Sequence, residues 1–196
     1  MEVAPLPASF YARDTELVAR ELLGCFLVSS AGGSVTGGRI VEVEAYVGPH
    51  DPADHGYGNR RTTRNAALFG PPGTAYVYFI YGMHWCFNAV TEREGYPAAV
   101  LIRALEPVWG IDQMRRRRKT QDTRLLCSGP GRLCQALGID GGLNGLPLDR
   151  EPLRILPGDG PVRRVKVGGR VGVSRAADWP LRFSLEGSLY LSRPAG

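Results

Sequence analysis

The segment Arg39-Ile40-Val41-Glu42-Val43-Glu44-Ala45-Tyr46 alternates with a period of two. As a strand it sends Ile40, Glu42, Glu44 and Tyr46 to one face and Val41, Val43 and Ala45 to the other, with same-face neighbours about 7 Å apart. A carboxylate beside an aromatic wall is suited to act as a general base on water. The same pattern also suits a strand face wetted by solvent, and the segment alone leaves both readings open.

Other residues of chemical interest lie downstream. Arg103 sits inside the apolar run Ala98–Leu105. A guanidinium there is costly unless paired, so it is either half of a structural ion pair, with Glu106 or Glu42 as partner, or a cation serving a site. Asn88, in an equally apolar stretch, carries the same two readings. His50, Asp51, Asp54 and His55 superficially resemble the metal site of a metal-dependent phosphohydrolase. Pro52 breaks any helix that would present them together, so polar turn residues are expected and no metal is assigned. Thr74–Val90 reads as a hairpin turning at Gly82, with Tyr76, Tyr78 and Ile80 on one face and Val77, Phe79 and Tyr81 on the other. Its tip carries Tyr81 and Met83, flanked by His84 and Trp85, where turns usually carry Asn, Asp or Ser. A protein that extrudes a base from a stack needs a wedge of this kind; a tip tucked against the domain is the alternative. Ser128-Gly129-Pro130-Gly131-Arg132 opens a helix whose free N–H groups could hold a phosphate or could simply be capped.

The elements that must position these residues follow from pattern and punctuation. Asp14 caps a helix that Gly24 stops. Strands are expected at Phe26–Ser29, Arg39–Val47, Ala98–Leu105, Val165–Val167, Val171–Val173 and Leu181–Leu185. Helices are expected from Trp109 to Lys119 and from Pro130 to Gly138. Pro49–Gly73 is a long polar connection, a kind that is often functional. No repeat or linker divides the 196 residues. One α+β domain over 1–196 is expected, with a curved, mainly antiparallel sheet, a protruding hairpin and a few flanking helices.

Composition narrows the function classes. No apolar run reaches the length of a membrane span, and the opening residues do not form a signal peptide. Cys25, Cys86, Cys127 and Cys134 match no zinc spacing and lie in apolar stretches, as buried thiols do. The net charge is +5, with 22 Arg against two Lys. That excess favours a polyanionic partner, although an Arg-rich codon bias would also produce it.

Five segments, in order, resemble the alkyladenine (3-methyladenine) DNA glycosylase family: Arg39–Pro49, Pro72–Met83, Val100–Pro107, Leu126–Cys134 and Arg170–Val173. The resemblance implies a monofunctional glycosylase in base excision repair that flips an alkylated purine and hydrolyses its N-glycosidic bond, leaving an abasic site. It implies Glu44 as the general base, with Arg103 and the backbone carbonyl of Val173 holding the water. Tyr46, His55 and Tyr78 fall on the pocket that sandwiches the base, and Asn88 on the position that rejects guanine. Tyr81, with Met83 beside it, falls on the inserted wedge. Arg60, Thr62 and Arg118 fall on the DNA-backbone side. The implied partner is duplex DNA carrying an alkylated or deaminated purine, bound by a monomer with no cofactor, in the cytoplasm or nucleoid, or the nucleus of a eukaryote. His84, Thr63 and about two extra residues between Asn88 and Arg103 depart from the family pattern. The two lysines, Lys119 and Lys166, lie outside the pocket motifs, so a Schiff-base lyase activity is not expected. A non-catalytic binder of distorted DNA and a metal-dependent phosphohydrolase are the rival readings.

Overall fold

The computed structural model describes residues 3–160, 162 and 164–193, so the expected domain over 1–196 extends beyond them at both ends. Its centre is strand β2 (Thr36–Tyr46), which is hydrogen-bonded along one edge to β5 (Ala99–Trp109). The opposite edge of β2 changes partner halfway. Thr36–Arg39 pairs with β1 (Phe26–Ser29), and Glu42–Glu44 pairs with β9 (Arg182–Leu185). All pairings are antiparallel, in the order β3–β4–β5–β2–β1–β7–β6. The remaining members are β3 (Ala75–Ile80), β4 (His84–Val90), β6 (Asp149–Arg150) and β7 (Leu153–Leu156), while β8 (Val165–Gly168) extends the β9 edge. The sheet is curved, as expected for an α+β domain.

Where β2 passes from one partner to the next, its register with β5 shifts on both sides of Glu42. Such a bulge re-aims side chains. Ile40 joins the apolar core with Val43 and Ala45, whereas Val41 does not. The expected strict alternation is thus broken at Ile40, and only Glu42, Glu44 and Tyr46 keep the polar face. The outer boundaries also differ slightly. β2 starts at Thr36, β5 continues to Trp109, and the helix after it begins only at Ile111.

The core joins apolar residues of the sheet to those of the helices packed on it. Four helices flank it: α1 (Ala8–Tyr11), α2 (Thr15–Leu22), α3 (Ile111–Arg118) and α4 (Pro130–Leu137). In α2, Asp14 Oδ1 accepts the Leu17 N–H at 3.0 Å and Val18, Ala19 and Leu22 face the core. α4 starts on Pro130 and ends on Gly138 at φ 69°, whose N–H caps the last carbonyls. Its buried residues Leu133, Cys134, Ala136 and Leu137 pack on β4 and β5, and each large apolar side chain so placed contributes roughly 1.5–3 kcal/mol. All four cysteines are buried free thiols.

Part of the basic run on α3 is bonded into the fold. Arg117 donates to the carbonyls of Ala31 and Ala136, and Arg118 to those of Leu125 and Leu126 and to Gln135. Arg115 pairs with Asp112 and Arg116 with Gln113.

Along the β3–β4 hairpin burial fades from base to tip. Ala75, Tyr76 and Val77 are covered, and the turn beyond Ile80 is exposed. The start of β4, just beyond the tip, is seated by two glycines. A Cβ on Gly131 would lie 2.9 Å from the His84 ring, and one on Gly141 would lie 2.7 Å from Trp85. A larger residue at Gly131 would push the start of β4 off α4, and one at Gly141 would push it off the turn that follows α4.

Candidate active site

Glu42 and Glu44 are fully buried, which removes the wetted-surface reading of their strand. Glu44 lies just behind the wall of the cavity between the hairpin and the 170s loop, bonded to three residues that line it. Its Oε1 accepts the Val171 N–H at 2.6 Å, and its Oε2 accepts Arg103 Nη1 at 3.1 Å and the Tyr46 hydroxyl at 3.0 Å. A carboxylate has about four lone-pair positions, so three donors leave one for a water. Burial pushes the Glu44 pKa above the ordinary carboxylate range, and Glu42 adds to that. Arg103, the Val171 N–H and Tyr46 pull the other way without cancelling it.

Arg103 is not left unpaired. Its Nε binds Glu42 at 2.9 Å, while the alternative partner Glu106 lies instead near Arg39. The segment Val171–Val173, expected to be a strand, is an irregular loop with Gly172 at φ 79°. The turn brings Val171, Val173, Ser174 and Arg175 to the cavity wall, a placement a straight strand would not give.

The cavity has a volume of about 640 Å³ and is lined by Tyr46, His55, Tyr76, Tyr78, Asn88, Arg103 and Val173, among others. His55 and Tyr78 rings meet edge to face at 4.6 Å, and His55 Nδ1 lies 2.8 Å from the Tyr76 hydroxyl. Desolvation of the ring against the cavity wall, with help from Arg64, lowers the His55 pKa and so favours the neutral imidazole. Asn88 donates from Nδ2 to the Tyr76 carbonyl at 3.0 Å, so its amide oxygen is held in a fixed direction. Tyr81 also reaches the cavity. It is 77% exposed and Met83 68%, so the tip is not tucked against the domain. Tyr81 has φ 55° and Gly82 φ 68°. A left-handed backbone costs a residue with a Cβ roughly 1–2 kcal/mol, and such strain in an exposed aromatic is a mark of function.

The residues of the His50–His55 loop do not converge. Asp51 forms a fully buried, bidentate pair with Arg170, and Asp54 accepts the N–H groups of Gly48 and Gly56. Burial lifts the Asp54 pKa to about 7. Among the described residues no three His, Cys, Asp or Glu side chains group as metal ligands. Arg60 and Thr62 are exposed beside this loop. Asn65 binds the Arg60 carbonyl and the Thr62 N–H. Arg118 is away from the cavity wall.

Several residues of the site carried no expected role. Arg170 stacks on Tyr46 at 4.8 Å and donates to the Ala45 carbonyl, which locks the pocket wall to the loop that feeds Glu44. Tyr76, Arg175 and Arg193 line the cavity. Tyr76 alone had a visible signal, since it shares a strand face with Tyr78.

A family model described as Methylpurine-DNA glycosylase (MPG) matches residues 9–189. A protein of Rhodopseudomonas palustris strain HaA2, named "Putative 3-methyladenine DNA glycosylase", is 53% identical over 97% of this chain and 91% of its own length. Relatives with the same printed name in Methanoculleus marisnigri and Agrobacterium fabrum are 53% and 49% identical, each over 96% of this chain and over 98% and 92% of their own lengths. The buried carboxylate, the aromatic cavity and the exposed tip thus lie in a chain that belongs to the methylpurine-DNA glycosylase family, and it is a DNA glycosylase of DNA repair.

Proposed function

We propose that the enzyme excises alkylated purines such as 3-methyladenine and 7-methylguanine from duplex DNA by base flipping and attack of an activated water. The observation that carries this reading is the buried Glu44 with one free lone-pair position beneath an aromatic cavity. Tyr81 fills the gap left in the stack when the nucleotide rotates out. The flipped base then lies against Tyr46, His55 and Tyr78. Electron-rich ring faces and a neutral imidazole favour a cationic, alkylated purine. The fixed amide oxygen and carbonyl-bound nitrogen of Asn88 define one edge of the pocket, where guanine's exocyclic amine would crowd. 7-Methylguanine carries the same amine, and its positive charge offsets that crowding by strengthening its hold on the ring faces and its leaving ability.

Glu44 takes the proton of the water as it attacks C1′, and Arg103 and the Val173 segment orient it. The alkylated base leaves without prior protonation because it already carries the positive charge. Arg60 and Thr62 lie on an exposed face suited to the phosphate backbone. Arg118, bonded to the Leu125 and Leu126 carbonyls and to Gln135, is the third residue of this reading assigned to the DNA-backbone side.

The test is base release from duplexes that each carry one defined lesion. Alkali-labile abasic sites should form at the position of the 7-methylguanine or 3-methyladenine, and a strong chelator should leave the yield unchanged. Tight binding of these duplexes with no abasic product, or loss of product on chelation, would overturn the reading.

A further inference from the structure

Glu42 is fully buried, two residues from the proposed base, and has no part in the reading above. Its surroundings are unusually complete. Oε1 accepts Arg103 Nε at 2.9 Å, Arg182 Nε at 2.9 Å and the Ser192 hydroxyl at 2.7 Å, and Oε2 accepts the Ser192 N–H at 2.6 Å. The Ser192 hydroxyl is also 3.2 Å from Arg103 Nη2. Each nitrogen of the Arg103 guanidinium therefore has its own partner: Glu42 for Nε, Glu44 for Nη1 and Ser192 for Nη2.

A planar guanidinium bonded at all three nitrogens cannot rotate or slide. Arg182 reaches the cluster from β9, directly across the ladder from Glu44, and its Nη2 donates to the Arg193 carbonyl. Ser192 and Arg193 are thereby drawn onto the polar face of β2, and Arg193 lines the cavity. We propose that Glu42, anchored by Arg182 and Ser192, is a positioning residue that fixes the Arg103 guanidinium against Glu44. This rests on the reading of Glu44 as the base.

The arrangement also divides the charge of Arg103. The groups facing Glu44 are Arg103 from β5, Tyr46 and Glu42 from β2, the Val171 N–H from the 170s loop, and Cys86 from β4; Arg170 lies behind Tyr46. Of these, Glu42 is the one negative neighbour, and it holds the guanidinium that would otherwise stabilise the Glu44 carboxylate alone. Making residue 42 neutral would leave Arg103 to Glu44 and lower the Glu44 pKa.

Single-turnover release of 7-methylguanine is measured as a function of pH for the wild type, Glu42→Gln, Ser192→Ala and Glu44→Gln, with thermal melting as the check on folding. Glu42→Gln should slow release about 10- to 100-fold and move its acid limb down by roughly one pH unit. Ser192→Ala should slow it roughly threefold to tenfold with DNA affinity unchanged. A folded Glu42→Gln enzyme that is slower but keeps the wild-type acid limb would make Glu42 merely structural and overturn the inference. So would wild-type kinetics in Ser192→Ala, which decides alone if Glu42→Gln does not fold. Wild-type release by Glu44→Gln would instead overturn the assignment of the base itself.

Discussion

The floor of the site and the tip of the hairpin are built on opposite principles. On the floor, Glu42, Glu44, Arg103 and Arg182 are buried or nearly so and each has a partner at hydrogen-bond distance. At the tip, Tyr81 and Met83 stand in solvent on a backbone that the Tyr81 side chain disfavours. The difference teaches where each task is placed. Chemistry that depends on tenths of an ångström is set in central strands held from both sides. In the proposed mechanism, insertion into a helix of variable shape is left to an exposed turn whose strain can be released on contact.

Substitutions on the two sides should therefore fail differently. The largest effect belongs to the floor. Glu44→Gln should cost about 10²- to 10⁴-fold in base release with little change in melting temperature or DNA affinity, measured by single-turnover kinetics and calorimetry. Near-normal release would break the contrast at its base.

Removing Asp51, the partner of Arg170 beneath Tyr46, should act on stability first. Asp51→Ala leaves a buried guanidinium unpaired and should lower unfolding free energy by about 3–5 kcal/mol, read by denaturant titration.

The tip should show the reverse pattern. Tyr81→Gly should reduce excision from duplex DNA about tenfold, the loss of one stacking group of 1–3 kcal/mol. It should leave stability unchanged or raise it by about 1 kcal/mol as the left-handed strain is relieved. Loss of stability there would show that the tip packs on the domain after all.

The smallest effect is one of pH. With Glu44 as the proposed base, excision needs it ionised, and its pKa is raised by burial. Activity should be complete above that raised value and fall as pH drops through it. The acid limb should thus stand above the ordinary carboxylate range, in a pH–rate profile on a lesion that is cationic throughout.

How much of this was legible in the chain depended on sequence distance. The period of two in β2 put Glu44 and Tyr46 on one face, and the apolar tip residues marked the hairpin turn, because both signals are local. The break at Ile40 was not legible, since it arises where β2 exchanges β1 for β9, and β9 is about 140 residues away in sequence. The partners of Arg103 are 61, 59 and 89 residues distant, and no pattern within a segment encodes such a meeting. Val171-Gly172-Val173 misled for a different reason. β-Branched residues around a glycine read as a strand, whereas the positive φ of Gly172 turns the chain into the cavity. Asp51 drew notice as a metal ligand for want of any sign that Arg170 would cover it.

The floor network has one further consequence. With Glu44 ionised, its two carboxylates and two guanidiniums sum to zero charge and are almost wholly shut away from solvent, so dissolved ions neither gather around it nor screen it appreciably. Binding of a basic protein to DNA, by contrast, proceeds with release of counterions and weakens steeply as salt is added. Ionic strength therefore separates the two halves of the reaction cycle in this enzyme: raising it should loosen the grip on DNA while the bound complex goes on cutting at the same rate.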